Sequence, residues 1–319
     1  MRRAVAFLAA WVGISAFSAA EAPRIETVQG FYEGTITDAG GQHKAEARLV
    51  ALGKGNYKLL IRQSAAEGKV TKIELAGKTS GEEIQFAGKA AGQPWAGKWE
   101  DSYVKGTTGA GGKFEFKRVE RQSPTLGAAP PEGAIVLLDG KNFDEVTSRT
   151  QEWKTTGGGA IVVPKGGMSS KRTFDGSLKI HVEFKNPLMP EATGQGRGNS
   201  GVYLPNGSEI QVLDSFGMTT YTGGGCGGLY RYKDPDAFDE FSLASAPPLQ
   251  WQTYDIEYRV EKKDGKLVGK PRVTVYHNGI RIHDNAELSN NAKVGVLNFQ
   301  DHGNAVEYRN IWVVPLDQK

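Results

Sequence analysis

Three polar clusters in the second half of this chain carry side chains that could do chemistry. The first is Glu209-Ile210-Gln211-Val212-Leu213-Asp214. On an extended strand successive side chains point to opposite faces, so Glu209 and Gln211 share one face and Ile210 and Val212 the other. Asp214 rejoins Glu209 only if a bulge adds a residue. Two carboxylates flanking a glycosidic bond are the equipment of a glycosidase. The spacing strains that reading: five residues of strand span roughly 16 Å, whereas a retaining mechanism needs carboxyls about 5 Å apart. The same alternation also describes a solvated outer face. The second cluster is Gly196-Arg197-Gly198-Asn199-Ser200-Gly201. It offers a planar guanidinium fork and an amide that both donates and accepts, a set suited to a polyhydroxylated ligand. A plain glycine-rich loop has the same composition. The third is Gln300-Asp301-His302-Gly303, where an aspartate beside an imidazole can orient or charge it near neutral pH. A loop hydrogen bond is the plainer account of that pair.

Other chemistries lack their residues. No His-x-x-x-His or Cys-x-x-Cys spacing occurs, so no strong structural metal site can be argued. No Gly-x-Ser-x-Gly elbow and no phosphate-binding glycine loop before a helix is present. The single cysteine, Cys226, sits in Gly-Gly-Gly-Cys-Gly-Gly and reads as a small loop residue. One thiol makes no internal disulfide. His181 falls by alternation on an outer face with Lys179 and Glu183, and His43, His277 and His283 join no pattern. The formal net charge is +3 over 319 residues, without the concentrated basic patch that nucleic acid requires. The 6 Trp, 11 Tyr and 13 Phe are enough to bury a core and exclude a disordered chain.

The elements that must position these clusters are strands. Between residues 30 and 118 short apolar–polar alternations recur between glycine turns about ten residues apart, the mark of an antiparallel meander or small barrel. Trp95 and Trp99 share a strand face there and read as core filling in preference to a sugar platform. Residues 120–132, with Pro124, Gly127, Pro130 and Pro131, read as a semi-rigid linker between a small β domain (24–119) and a second β domain (133–317). In the second, Leu178, Ile180, Val182 and Phe184 alternate with Lys179, His181, Glu183 and Lys185, and Asn278-Gly279 marks a hairpin. Two antiparallel sheets packed face to face are expected. Residues 1–20 read as a secretory signal: Arg2 and Arg3, an apolar run, then Ser18-Ala19-Ala20. That run is short of the ~20 residues a bilayer span needs, and the mature protein is expected to lack a membrane span. An exported protein, periplasmic or extracellular, is expected.

The second domain resembles a known family. Leu138-Asp139-Gly140-Lys141, Gly198-Asn199-Ser200-Gly201-Val202-Tyr203-Leu204, Glu209-Ile210-Gln211-Val212-Leu213-Asp214-Ser215, Trp251-Gln252-Thr253-Tyr254-Asp255-Ile256, His277-Asn278-Gly279 and the run from Gln300-Asp301-His302-Gly303 to Ile311-Trp312-Val313 follow, in order, the motifs of the 3-keto-disaccharide hydrolases. The resemblance covers about residues 133–317. It implies a concanavalin A-like jelly roll and an oxidised or ordinary di- or oligosaccharide glycoside as partner. It further implies abstraction of the C2 proton beside a C3 ketone, elimination of the glycosidic oxygen, and hydration. Under it Glu209 or His302 is the base, with Arg197 and Asn199 near the developing oxyanion. Asp214 and Asp301 orient partners or hold a divalent cation, and Gln211, Gln300 and Tyr230 bind hydroxyls. The chain departs from the family pattern at Arg231-Tyr232-Lys233-Asp234, beyond Gly227-Gly228-Leu229-Tyr230, which bears on substrate identity. A non-catalytic lectin-like module on the same fold is the alternative, and a retaining glucanase a third.

Overall fold

Apolar–polar alternation between closely spaced turns closes the first half of the chain on itself. The computed structural model describes residues 22–64, 70–109, 111–236 and 244–317; the signal read at residues 1–20 lies outside them. The strands Gly30–Asp38, Gly41–Gly53, Asn56–Ser64, Val70–Ser80, Glu83–Ala90, Gln93–Glu100, Tyr103–Thr107 and Lys113–Val119 form a closed antiparallel barrel. Its first strand pairs with its last from Phe31↔Val119 to Thr37↔Lys113. A barrel of eight strands is just wide enough for its own side chains to fill. Tyr32, Leu49, Ile61, Leu75, Phe86 and Phe116 fill it, together with Trp95 and Trp99. The Trp99 indole N–H donates to the Tyr32 hydroxyl at 2.8 Å, which donates to the Val28 carbonyl at 2.5 Å. Some of the glycine content is interior space: a Cβ at Gly77 would stand 2.4 Å from the Phe86 ring.

The second half is a two-sheet sandwich. One sheet runs Val146–Ser148, Met168–Ser170, Asn298–Phe299, Ser200–Tyr203, Glu209–Val212. The other runs Lys154–Thr155, Ile161–Val162, Glu307–Pro315, Leu178–Lys185, Trp251–Lys263, Lys266–His277, Ile280–Glu287, with Ile135–Leu138 also paired to Glu307–Pro315. Ile180, Val182, Phe184, Tyr254 and Ile256 meet Val202, Ile210, Val212 and Phe299 between them. The Asn278-Gly279 turn forms as its residue types require, with φ of 50° and 80°. Among the described residues no helix is long and apolar enough to cross a membrane.

The outer face of the larger sheet corrects one expectation. His181 is fully buried, not outward in solvent, because residues 123–128 lie across it as a strap. Ser123 and Thr253 share a 2.6 Å hydrogen bond, Thr125 donates to Asp255 at 2.6 Å, and the Gly127 N–H donates to Glu183 at 2.6 Å. The Ala128 carbonyl accepts from Asn310 and from the Trp312 indole. The segment read as a linker is therefore held to the sandwich at this end. His277 and His283 are also buried. Burial lowers both, to about 3 and about 4.

His181 sits between the two carboxylates that grip the strap, 2.7 Å from Asp255 and 3.6 Å from Glu183, and stacks on Trp312. Burial disfavours its imidazolium, but Asp255 and Glu183 outweigh burial and raise its pKa. Burial likewise opposes ionisation of Glu183, and hydrogen bonds from His181, Asn310, Arg309 and the Gly127 N–H outweigh it, holding the carboxyl at about 2. A raised histidine stabilises below its unfolded pKa and loses that contribution as pH rises through the folded value. A depressed carboxylate stabilises above its unfolded pKa and loses it as pH falls. Thermal melts across pH should therefore show stability declining as pH rises through the raised His181 value, and again below about 4.5. In H181N the alkaline decline from this group should vanish while the acid decline remains.

Candidate functional site

Glu209–Val212 pairs with Ser200–Tyr203 in the register Tyr203↔Glu209 and Gly201↔Gln211. Paired residues share a sheet face. Gly201, Tyr203, Glu209 and Gln211 thus stand on the side turned away from the larger sheet, while Val202, Ile210 and Val212 enter the core. The Glu209 carboxylate lies across Gly201, where a Cβ would be 2.1 Å from Oε1. Gln300 follows the neighbouring strand: its N–H donates to the Gly201 carbonyl at 2.9 Å and its side-chain amide to the Tyr203 hydroxyl at 3.2 Å. The Tyr230 N–H donates to the Glu209 carbonyl at 3.0 Å. The Tyr230 and Tyr221 hydroxyls are 2.9 Å apart. Arg231, a non-glycine residue at φ 55°, lies 5.4 Å and 5.9 Å from the two ring centres.

Glu209 is 7% exposed. Burial raises its carboxyl to about 7, and a hydrogen bond with Tyr203 offsets part of that rise. No ion pair among the described residues holds it ionised. A carboxylate in this state takes and returns protons near neutral pH.

Asn199 and Gln211 are organised by Gln195, whose side-chain oxygen accepts from both amides at 3.1 Å and 2.8 Å. The Gln195 amide donates to the Gly224 carbonyl at 2.8 Å. Among the described residues, the buried amide oxygens of Asn199, Gln211 and Gln300 find no donor. A buried acceptor left unpaired costs about 1–3 kcal/mol, so these three mark a place where hydroxyl donors or water belong.

Arg197 and Asp214 do not stand with these residues. They form an ion pair at 2.7 Å whose side chains are 1% and 0% exposed. Arg197 also donates to the carbonyls of Met189, Pro190 and Ala192. No bulge interrupts the short strand, so Asp214 lies beyond its end and inside the protein. Among the described residues the Arg197 Nη2 atom is buried without a hydrogen-bond partner. Asp301 caps two loops, accepting from the N–H groups of Gly166 and Gly303, and His302 beside it is exposed. Cys226 is buried, its thiol pushed up to about 11 by burial. Among the described residues no three His, Cys, Asp or Glu side chains gather as a metal cluster.

The structure therefore brings together Glu209, Gln211, Asn199, Gln300 and Tyr230. It leaves His302 and Asp301 at a loop and puts Arg197 and Asp214 beneath. It adds Tyr203, Gln195 and Tyr221. Tyr203 had a signal, since the short turn between Tyr203 and Glu209 makes them hairpin partners. Gln195, in the short 3-10 turn Gly194–Gly196, had none.

Residues 133–314, more than half the chain, match the family model described as the 3-keto-alpha-glucoside-1,2-lyase-like domain. A solved protein from Parabacteroides distasonis ATCC 8503, described provisionally as a glycosyl hydrolase, is 31% identical with a TM-score of 0.50, covering 58% of this chain and 85% of that one. Another from the same organism, with the same provisional description, is 18% identical with a TM-score of 0.43, covering 57% of this chain and 99% of that one. No curated protein matches.

Proposed function

Because this chain belongs to the family of 3-keto-alpha-glucoside-1,2-lyase-like domains, we propose that it cleaves glycosides already oxidised to a ketone at C3, with Glu209 as the base. The observation that carries the proposal is the Glu209 carboxyl near 7, buried, without a cation, beside donor and acceptor groups on one sheet face. The ketone acidifies the C2 hydrogen. Glu209 takes that proton, the electron pair moves toward the C3 oxygen, and the C1–oxygen bond breaks to leave an enone and the departing alcohol. Glu209 returns that proton to the departing oxygen, and water then adds across C1 and C2, its hydroxyl to C1 and its other hydrogen to C2, leaving Glu209 ionised as at the start.

The route needs one base and an oxyanion stabiliser, not two close carboxylates. That suits a face on which Asp214 is sequestered. With Arg197 buried as well, oxyanion stabilisation falls to the hydroxyls of Tyr203 and Tyr230, the latter beside the Arg231 cation. The unmet amide oxygens of Gln211, Asn199 and Gln300 are the acceptors for sugar hydroxyls. On the strength of residues 1–20 we place the reaction outside the cytoplasm.

A product assay tests this reading. Purified protein should release the aglycone from a 3-keto-disaccharide and not from the unoxidised disaccharide, with and without chelator. Equal release from both would remove the C2-proton mechanism, and binding without release would make the protein a lectin.

A further inference from the structure

Two of the places where the barrel meets the sandwich are tied to the candidate site. Phe216 opens the segment 215–231 and is wholly buried in a cluster separate from the sandwich core, with Phe31, Val50 and Ala246. Its ring meets Phe31 of the barrel edge-on at 5.1 Å, and the buried Arg48 guanidinium lies 5.3 Å from each ring. Gly217 approaches so closely that a Cβ there would stand 2.4 Å from Val50. At the second place, a Cβ at Gly53 would stand 2.4 Å from the Glu191 side chain, inside the segment whose carbonyls receive Arg197.

We propose that the amino-terminal barrel is a working part of the site, holding the substrate rim 215–231 in place with Phe216 as the positioning residue. The chain of contacts is continuous. The Phe216 N–H donates to Asp214 at 3.3 Å, which anchors the start of the segment to the buried ion pair. Farther along, the Cys226 N–H donates to the Ser215 hydroxyl at 3.1 Å, folding the segment back on its start. The Gly227 N–H donates to the Gln211 carbonyl and the Tyr230 N–H to the Glu209 carbonyl. The segment thereby carries Tyr221, Tyr230 and Arg231 to the edge of the Glu209 face. Tyr221 is 44% exposed, so little of the rim's own packing holds it. Phe216 would be an exposed aromatic without the barrel, and with the barrel it is the apolar anchor at one end of the segment. Glu209 itself stands on a strand and does not depend on that anchor.

The inference rests on the site reading above, so its test has an arm independent of turnover. Hydrogen–deuterium exchange is measured on the full chain for wild type, F216A, F216L and V50A. In F216A the amides of residues 221–230 should exchange at least about tenfold faster, while those of residues 200–203 and 209–212 keep their protection. V50A, altered only on the barrel side, should shift the same amides in the same direction, and F216L should restore them. With a 3-keto-disaccharide, F216A should raise KM roughly ten- to a hundredfold and leave the pH limb near 7 unmoved. Unchanged rim exchange in both F216A and V50A overturns the proposal, as does loosening spread evenly over the sandwich. A wild type that turns over no 3-keto-glycoside ends the activity reading, and the exchange data still decide whether the barrel holds the rim.

Discussion

E209Q will lower kcat/KM on a 3-keto-glycoside by about 10²- to 10⁴-fold, the range expected when a positioned general base is removed. Gln keeps the volume and the hydrogen bond to Tyr203 but cannot take the C2 proton. The wild-type profile carries the supporting signature. Glu209 acts only when ionised, so with its carboxyl raised to about 7 by burial kcat/KM should fall as pH drops below 7 and level off above it. In H302A that limb should persist, because His302 is exposed on a loop and, among the described residues, makes no hydrogen bond or ion pair with Glu209. Steady-state kinetics between about pH 5 and 9 decide the assignment. If H302A abolishes the limb and E209Q keeps it, the base is His302.

The second large effect is on stability. R197M will destabilise the sandwich by about 3–5 kcal/mol, because it leaves Asp214 buried opposite a vacated partner. For a sandwich of this size that is a fall in melting temperature of about 6–20 °C. The pair itself is not the source of the sandwich's stability. Burial pushes Asp214 up to about 6 against the pull of Arg197 at 2.7 Å. The contribution of such a raised carboxyl is complete below its unfolded pKa and is lost as pH rises through about 6. At neutral pH the pair is kept for geometry: Arg197 gathers three carbonyls of residues 189–192 and Asp214 receives Phe216. The double variant R197M/D214L should therefore recover much of the melting temperature while the rim amides of residues 221–230 stay loosened. Calorimetry and denaturant titration on the single and double variants check this; a double variant no better than R197M contradicts it.

The all-β class, the barrel with its closely spaced turns, the Asn278-Gly279 hairpin and the inward set Ile180, Val182 and Phe184 were all legible along the chain. Each is a local matter: a two-residue period or a positive φ leaves its mark in neighbouring residues. Glu209 and Gln211 on one face followed from the same period, and Gln300 from its place beyond an apolar strand. Two residues have surroundings that a two-residue period does not report. Arg197 reads as a ligand-binding fork, and in the fold its Nε and Nη1 go to Asp214 and a carbonyl cluster while Nη2 keeps no partner among the described residues. His181 alternated outward and is covered by the strap.

Taken alone, the sequence determined the strands, their faces, the family motifs and the residue types that could serve as a base. Tertiary structure alone decided which polar groups remain for a ligand. A side chain's availability depends on what lies across the sheet from it, and its proton affinity on how much water that neighbour displaces. Glu209 loses water without gaining a cation, Asp214 loses water and gains one, and neither change is written in the residues beside them.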